Sequence, residues 1–224
     1  MGDIEIIPTC VPESIDDVIK YGGRAGKIAS AIHLDINDGI LTPDFSWPFV
    51  ENGRVGDIDE TVLSGLVFEA HLMVSDCREI GSSFINIPAR SIVVHVEARD
   101  MGIETLQYFK SCGGGQIGIA ILLDTPLEQL NPLLPFSDFV QVMSVATIGA
   151  QGASFDPRAL ERVERLHKNH PDLPIQVDGG ISRKNITNLA RAGARRFAVG
   201  AAIATAINPA EEYAALLSLA QTAL

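Results

Sequence analysis

The sequence predicts an α/β fold, a (β/α)8 TIM barrel that forms one domain over residues 1–224. Three observations lead to this prediction. Eight short apolar, β-branched runs recur along the chain, helical segments separate them, and the first run is not followed by the Gly-rich pattern of a dinucleotide-binding sheet. Eight strand–helix units in 224 residues fit a closed barrel better than a doubly wound sheet.

The predicted strands are almost continuously hydrophobic, which is typical of parallel strands covered on both faces. They are Ile4–Pro8, Ile28–Asp35, Leu66–Met73, Ser91–Val96, Gln116–Leu122, Phe139–Met143, Ile175–Asp178 and Arg196–Gly200. Helices are predicted at Asp16–Tyr21, Ile103–Lys110, Arg158–His167 and Arg183–Ala192. Asp156 and Ser182 are the predicted N-caps of the last two helices, and Gly193 is predicted to end the last one.

The segment Gly39–Gly65 does not follow this alternation. It contains two prolines and several glycines, and only Asp59–Leu63 has a weak helical pattern. A loop of this length inside a compact domain is usually functional or mobile. We interpret it as a lid over the active site.

Composition narrows the range of partners. The net charge is -11 and the basic residues form no stripe, so neither nucleic acid nor an anionic membrane is expected as a partner. Cys10, Cys77 and Cys112 are odd in number and scattered, which favours reduced thiols in a cytoplasmic protein. No apolar run approaches the ~18 residues that span a bilayer. Because helices on a barrel exterior often pair, a homo-oligomer is a further expectation.

Titratable residues stand at the ends of four predicted strands, where the chemistry of such barrels is found. They are His33 and Asp35, Glu69 and His71, His95 and Glu97, and Asp178. A single strand-end histidine is more often a hydrogen-bonded core residue than a ligand. However, burying charges at four strand ends costs several kcal/mol each unless they are paired or bind a metal. Two imidazoles and two carboxylates form a suitable site for Zn²⁺, Fe²⁺, Mn²⁺ or Co²⁺.

Glycines follow the last two strands and predict a phosphate site. Gly179 and Gly180 come after the seventh strand, and Gly200 and Ala201 lead from the eighth into a short helix. Glycine allows close backbone approach, and a helix N-terminus offers amide donors to an anion. These two loops are a common phosphate site of TIM barrels. The alternative is that the glycines only form tight turns.

Six motifs occur in a fixed order along the chain. They are His33-Leu34-Asp35-Ile36-Asn37-Asp38-Gly39, His71-Leu72-Met73-Val74, His95-Val96-Glu97-Ala98, Met143-Ser144-Val145, Val177-Asp178-Gly179-Gly180-Ile181 and Val199-Gly200-Ala201-Ala202-Ile203. Together they resemble the ribulose-phosphate 3-epimerase family, and the resemblance extends from Pro8 to Ile203. The Gly-Gly motif alone is shared by many phosphate-binding barrels.

The resemblance implies a ribulose-phosphate-binding barrel that epimerises C3 of a ketose phosphate, as in the conversion of ribulose 5-phosphate to xylulose 5-phosphate. It implies a divalent metal held by His33, Asp35, His71 and Asp178. Asp35 would act as base and Asp178 as acid in one direction, while the metal stabilises an enediolate. The implied substrate contacts are Thr9, His71, Met143, Gly149, Gly152, Gly179, Gly180, Gly200 and Ala201. Glu69 is expected to orient a metal ligand.

Three positions depart from the family's motifs. Asn37 stands where the family carries Met, and Thr9 replaces a Ser while keeping the hydroxyl. The loop Ala146–Gly152 replaces the family's Asn-Pro-Gly-Phe-Gly-Gly-Gln. The metal and acid–base residues are intact, so the resemblance bears more directly on the reaction type than on the sugar. If this loop no longer covers the phosphate, substitution of Gly149 should matter less than substitution of Gly200.

Three alternatives stay open. A phosphate-sugar decarboxylase or synthase barrel would place Lys where Asn37 stands. The same chemistry could act on a different sugar phosphate. A barrel that binds a sugar phosphate or a protein without turnover is the third alternative, and the presence of both Asp35 and Asp178 argues against it.

Overall fold

The computed structural model describes residues 3–50, 53–58, 66–85, 87, 89–113 and 115–223. Eight parallel strands form a closed barrel, and each strand pairs with its neighbours in chain order until β8 returns to β1. The predicted TIM barrel is therefore confirmed. The strands are β1 Glu5–Cys10, β2 Ala31–Asn37, β3 Val67–Met73, β4 Ala89–His95, β5 Gln116–Ile121, β6 Phe139–Met143, β7 Ile175–Asp178 and β8 Arg196–Val199.

All eight predicted strands are present; two have the predicted bounds, and the bounds of the other six differ by at most three residues. The difference at β2 affects the site. The prediction ended this strand at Asp35, but its pairing with β3 continues to Asn37, which lies opposite Met73. All seven residues of β2 are buried. Asn37 is therefore a strand residue on the same face as His33 and Asp35, because side chains two apart point the same way.

The helices surround the barrel. They are α1 Ile15–Ala25, α2 Cys77–Ile85, α3 Ile103–Ser111, α4 Arg158–Asn169, α5 Ile186–Ala192, α6 Ala201–Ala204 and α7 Pro209–Gln221, with shorter 3-10 turns at Val55–Asp57, Leu127–Leu130 and Leu134–Phe136. Neither α2 nor α7 was among the predicted helices. The backbone amides of Cys77 and Arg78 at the start of α2 donate to Asp100, a residue from the next strand–helix loop. A cap supplied from so far along the chain leaves no local signal.

Helix α5 begins later than predicted. Ser182 was the predicted N-cap, but its backbone amide donates to Asn185 Oδ1 at 2.9 Å, and Asn185 is the residue that precedes the helix. The intervening residues form a turn instead of a first helical turn. Gly193 ends α5 with a φ of 118°, as predicted.

The lid interpretation of the segment 39–65 is wrong for its described residues. Trp47, Val55 and Ile58 are buried in the main core between strands and helices. None of the described residues in this segment lines the cavity at the barrel mouth. The weak helical pattern at Asp59–Leu63 lies outside the described residues. Across the described ranges, no helix is long and apolar enough to cross a membrane.

Candidate active site

A cavity of about 350 Å³ lies at the C-terminal end of the barrel. Its floor, as we call it, consists of Asp35, Met73, Met143 and Asp178, which come from β2, β3, β6 and β7. Its cover consists of residues 148–152, in the loop after β6. A volume of this size, closed on several sides, fits a small phosphorylated metabolite.

The four residues expected to bind metal lie together in the floor and directly beneath it. One donor atom from each of His33, Asp35, His71 and Asp178 lies within 4.8 Å of the others. Asp35 Oδ1 is 2.8 Å from His71 Nδ1 and 3.3 Å from His33 Nε2. Asp178 Oδ2 is 3.4 Å from His71 Nδ1. Two donors bound to one zinc ion at roughly 2.2 Å can be no more than about 4.4 Å apart, so small side-chain shifts would bring all four to one ion.

A hydrogen bond to Glu69 orients the first of the two imidazoles. His33 Nδ1 donates to Glu69 Oε1 at 2.7 Å, so Nε2 faces the two Asp carboxylates and is the nitrogen available to a metal. Nε2 is buried and has no hydrogen-bond partner. Glu69 itself is held by Ser91 at 2.6 Å and by Arg196 at 2.6 Å. The carboxylate therefore orients a candidate ligand, as expected from the sequence.

The second imidazole is oriented through His95. The Leu122 backbone amide fixes Glu97, and Glu97 Oε2 accepts from His95 Nδ1 at 3.1 Å. His95 Nε2 then accepts from His71 Nε2 at 2.9 Å. In this tautomer His71 Nδ1 keeps its lone pair toward Asp35 and Asp178, as a metal ligand requires, whereas in the other tautomer Nδ1 would donate to Asp35 Oδ1, 2.8 Å away. Lone pairs and carboxylates that converge in a buried site require a proton or a cation between them.

The pKa values show how protons balance the charges of the site when no metal ion is bound. Burial would lower the pKa of His33, but Asp35 and Glu69 raise it well above its ordinary value. Burial would raise the pKa of Asp35, but the two histidines beside this carboxylate outweigh burial and lower its pKa. Burial, together with the charge of Asp35, raises the pKa of Asp178 to about 7. At neutral pH the floor thus has one ionised carboxyl group and one that is partly protonated.

Two buried glutamines in this region were not singled out from the sequence. Gln141 Nε2 donates to Asp178 Oδ2 at 3.1 Å, and Gln141 Oε1 accepts from Gln176 Nε2 at 2.7 Å. Gln176 Nε2 also donates to Glu69. The glutamines therefore connect the partner of His33 to Asp178. An amide inside an otherwise apolar strand was the signal that could have identified them, because a buried amide needs partners.

The residues predicted to bind phosphate also lie at the cavity. Gly179, Gly180, Gly200 and Ala201 all line it. Gly180 has a φ of 62°, and a Cβ there would lie 2.4 Å from the backbone nitrogen of Phe155. A Cβ on Gly200 would lie 2.6 Å from Thr9 Oγ1. Glycine is therefore required at Gly180, where the obstacle is backbone, whereas a side chain at Gly200 would have to displace the side chain of Thr9.

The other predicted substrate contacts are also at the cavity, with one exception. Thr9, Met143, Gly149 and Gly152 line it. His71 is fully buried and lies beneath the lining residues. The expectation that Gly149 tolerates substitution meets a structural obstacle: its φ is 108°, and a Cβ would lie 2.8 Å from Thr42 Cβ. A left-handed conformation of this kind favours glycine.

A closed parallel barrel with polar residues at the C-terminal ends of its strands defines this protein as a TIM-barrel enzyme. A sequence profile of the Ribulose-phosphate 3 epimerase family matches residues 15–204. The chain belongs to this family. Because epimerases are isomerases, it is an isomerase of the racemase and epimerase class that acts on carbohydrates.

Individual relatives match most of the chain. It is 34% identical over 188 residues to the ribulose-phosphate 3-epimerase of Chlamydia pneumoniae, covering 80% of this chain and 79% of the relative. It is 32% identical over 182 residues to that of Eremothecium gossypii, covering 78% and 75%. It is 30% identical over 218 residues to the cytoplasmic isoform of Oryza sativa subsp. japonica, covering 95% and 92%.

Solved structures with the same fold are more distant in sequence. The 3-keto-L-gulonate-6-phosphate decarboxylase from Vibrio cholerae matches with a TM-score of 0.72 and 14% identity over 100% of both chains. The 3-hexulose-6-phosphate synthase from Salmonella typhimurium matches with a TM-score of 0.70 and 15% identity over 99% of this chain and 100% of that one. At these identities the similarity supports the fold alone.

Proposed function

We propose that this protein catalyses the metal-dependent epimerisation of ribulose 5-phosphate and xylulose 5-phosphate at C3. The observation that carries the proposal is the pair of carboxyl groups in the floor. Asp35 and Asp178 come from β2 and β7, and their pKa values are shifted in opposite directions. Epimerisation requires a base that removes the C3 proton and an acid that returns a proton to the opposite face.

The shifts favour one starting assignment. Asp35, whose pKa is lowered, is ionised at neutral pH and can accept the C3 proton. Asp178, whose pKa is raised to about 7, can hold the proton that is delivered to the other face. After one turnover the protonation states are exchanged, and the reverse reaction starts from the exchanged state. Gln141, which donates to Asp178 Oδ2, limits the orientations available to that carboxyl group.

His33, Asp35, His71 and Asp178 would hold a divalent metal, either Zn²⁺, Fe²⁺, Mn²⁺ or Co²⁺. The unpartnered Nε2 of His33 and the converging lone pairs support this assignment. When bound, the metal would act as a Lewis acid toward the substrate oxygens and stabilise the negative charge that develops on them. Glu69 and His95 hold the two imidazoles in the tautomers that leave the facing nitrogen free.

The phosphate group would bind at the backbone amides around Gly179, Gly180, Gly200 and Ala201. Thr9 and Gln151 are at the same end, since Gln151 Nε2 donates to the Thr9 carbonyl at 2.9 Å. The floor and the phosphate site line a single cavity. A ketose phosphate could therefore reach both at once.

The rival enzyme classes fit these residues less well. A decarboxylase or synthase of the related type needs a cation where Asn37 stands, and Asn37 is a neutral amide fully excluded from solvent. A binder without turnover has no use for two carboxyl groups with opposed pKa shifts. A different ketose phosphate is the second candidate, because the cover differs from the family's loop at most of its positions.

The test is an assay of the metal-loaded protein with ribulose 5-phosphate, coupled to detection of xylulose 5-phosphate, beside a panel of ketose hexose and pentose phosphates. We expect turnover of ribulose 5-phosphate that chelation abolishes and divalent metal restores. If only another ketose phosphate of the panel is turned over, the proposed reaction stands and the proposed substrate is wrong. If ketose phosphates of the panel bind but none of them exchanges its C3 proton with solvent, the proposed epimerase activity is refuted.

The proposal has the protein act as one domain in the cytoplasm, on a small phosphorylated sugar, without nucleic acid or membrane as partners. A homo-oligomer is part of the same proposal. Light scattering coupled to size exclusion would measure the mass of the particle, and a mass of 24.0 kDa would contradict an oligomer.

A further inference from the structure

We infer that Asn37 is a positioning residue that fixes the cover over the cavity and thereby sets the affinity for the sugar phosphate. This inference rests on the proposed function for its kinetic readout, although its structural readout is independent. It comes from a juxtaposition of two departures from the family's motifs. Asn37 and the loop after β6 are 112 residues apart in sequence, and they are in direct contact.

The contact is a single buried hydrogen bond. Asn37 Nδ2 donates to the backbone carbonyl of Gly149 at 2.9 Å. The backbone around Asn37 is itself held, because its amide donates to Ser46 Oγ at 2.8 Å and its carbonyl accepts from the Ser46 amide at 3.1 Å. The side-chain amide of Asn37 therefore projects from a strand end whose backbone is held in place. A methionine at this position, the residue typical of the family, could not donate this bond.

The cover has further anchors that show where Asn37 acts. Gly149 packs against Thr42, and Ile148 is buried in a small cluster with Met73 and Met143. At the phosphate end, Gln151 donates to Thr9. Asn37 is the side chain that attaches the cover to the β2 end of the floor. Loss of this bond would free the middle of the cover while Gln151 still held its far end.

Asn37 does not reach the reacting groups of a bound sugar. Its side chain is fully buried and absent from the cavity lining. A cover contacts the bound substrate in the ground state and in the transition state alike, and such uniform binding changes KM without changing kcat. The kinetic effect of Asn37 is therefore expected in KM.

The oxygen of the same amide favours a positioning role over a purely structural one. Asn37 Oδ1 is buried and has no hydrogen-bond partner. An unsatisfied buried acceptor destabilises the folded state. Leucine at this position removes the unsatisfied oxygen together with the donor, so Asn37→Leu is expected to fold.

The experiment combines hydrogen–deuterium exchange of the substrate-free protein with steady-state kinetics. In Asn37→Leu we expect the amides of residues 148–152 to exchange about tenfold faster, in line with the loss of one buried hydrogen bond. We expect KM for ribulose 5-phosphate to rise about five- to tenfold, with kcat within about twofold of the starting protein. If Asn37→Leu is insoluble, Asn37→Ser, whose side chain is too short to reach Gly149, serves in its place.

Asn185 provides a matched control. Its Nδ2 also donates to a glycine carbonyl in a cavity loop, that of Gly180 at 2.9 Å. Asn185→Leu should accelerate exchange at residues 179–181 and leave residues 148–152 unchanged. Asn37→Leu should give the reverse. This crossed pattern would distinguish local attachment of each loop from general loosening of the barrel.

Three outcomes would overturn the inference. They are unchanged exchange in the cover of Asn37→Leu, faster exchange spread evenly over both loops, and a loss of kcat with KM unchanged. Failure of the proposed function is recognised separately. If the starting protein does not turn over ribulose 5-phosphate but the crossed exchange pattern appears, the function is wrong and the attachment of the cover stands. The dissociation constant of a ketose phosphate that binds the starting protein, measured by calorimetry, then replaces KM as the binding readout, and an unchanged value in Asn37→Leu would also contradict the inference.

Discussion

The floor and the cover of the cavity are built in different ways. Asp35 and Asp178 sit at the ends of strands whose register is fixed by continuous pairing. Each is in contact with His71 and with at least one further buried side chain. The cover is a glycine-containing loop attached through Asn37 and Gln151. Under the proposed function, the floor would determine the chemistry, and the cover would adjust which substrate is bound and how tightly.

Removing one carboxyl group from the floor should have the largest effect. Asp178→Asn can neither accept nor donate the proton, so we expect kcat for epimerisation to fall by about 10³-fold or more. Exchange of the C3 proton with deuterated solvent can persist from the Asp35 side. Asp172→Asn, a change at an exposed carboxyl group six residues away, is the control and should leave kcat unchanged. Full activity in Asp178→Asn would contradict the two-acid scheme.

Metal binding to the floor should depend on pH. A cation must displace the protons held by His33 and Asp178, whose pKa values are raised, that of Asp178 to about 7. The apparent affinity should therefore fall as pH decreases through 7, by about tenfold per pH unit for each displaced proton, and approach a plateau for Asp178 above that pH. Competition with a coloured chelator between pH 5.5 and 8.5 measures this. An affinity independent of pH would show that the metal binds elsewhere.

Substitution of Glu69, which lies beneath the floor, should have an intermediate effect on metal affinity. Glu69→Gln weakens the orientation of His33, and we expect metal affinity to fall about 10- to 100-fold. The same change removes the nearer of the two carboxylates beside the buried Arg196 and leaves only Glu5 at 3.4 Å, so stability to urea should also fall. The double variant Glu69→Gln/Arg196→Gln is the control, since it should recover stability without recovering affinity. Recovery of both would mean that Glu69 acts only on stability.

Changes at the cover and the phosphate end should be the smallest. Gly200→Val places atoms against Thr9 Oγ1 and in the anion site, so KM should rise about tenfold or more. Gly149→Ala must adopt a φ of 108° and displace Thr42, and a rise in KM of about threefold is expected. Gly23→Ala, where a Cβ meets nothing within 4 Å, should change neither constant. An effect at Gly149 equal to that at Gly200 would mean that the cover contributes to phosphate binding.

Local sequence signals were sufficient for the strands and for the titratable residues at their ends, and the family resemblance then selected His33, Asp35, His71 and Asp178 among these residues. A parallel strand covered on both faces is uniformly apolar, so a charged residue at its end stands out, and the two-residue period places His33 and Asp35 on one face. The barrel topology then brings β2, β3 and β7 to one rim. No knowledge of side-chain contacts was needed to group these residues.

Contacts between distant residues could not be predicted in the same way. Gln176 reaches Glu69 across 107 positions of sequence, and Asn37 reaches Gly149 across 112. Each depends on which strands face each other inside the barrel and on the rotamers that packing allows. The lid interpretation failed for a related reason. The length and loop composition of the segment suggested a lid over the active site, but Trp47 and Val55 are buried in the hydrophobic core instead.

The Arg196–Glu69 pair has a consequence for how the chain folds. Arg196 opens the last strand, stacks 4.1 Å above the ring of Phe139 and neutralises a carboxylate on the third strand, 127 residues earlier. It also lies 3.4 Å from Glu5, in the strand that completes the circle. Before the last strand arrives, Glu69 lacks this cation, so a partly assembled barrel must either leave the carboxylate in water or bear the electrostatic cost of burying it unpaired. Ring closure and charge neutralisation thus coincide, which favours cooperative, all-or-none folding over the accumulation of half-barrels.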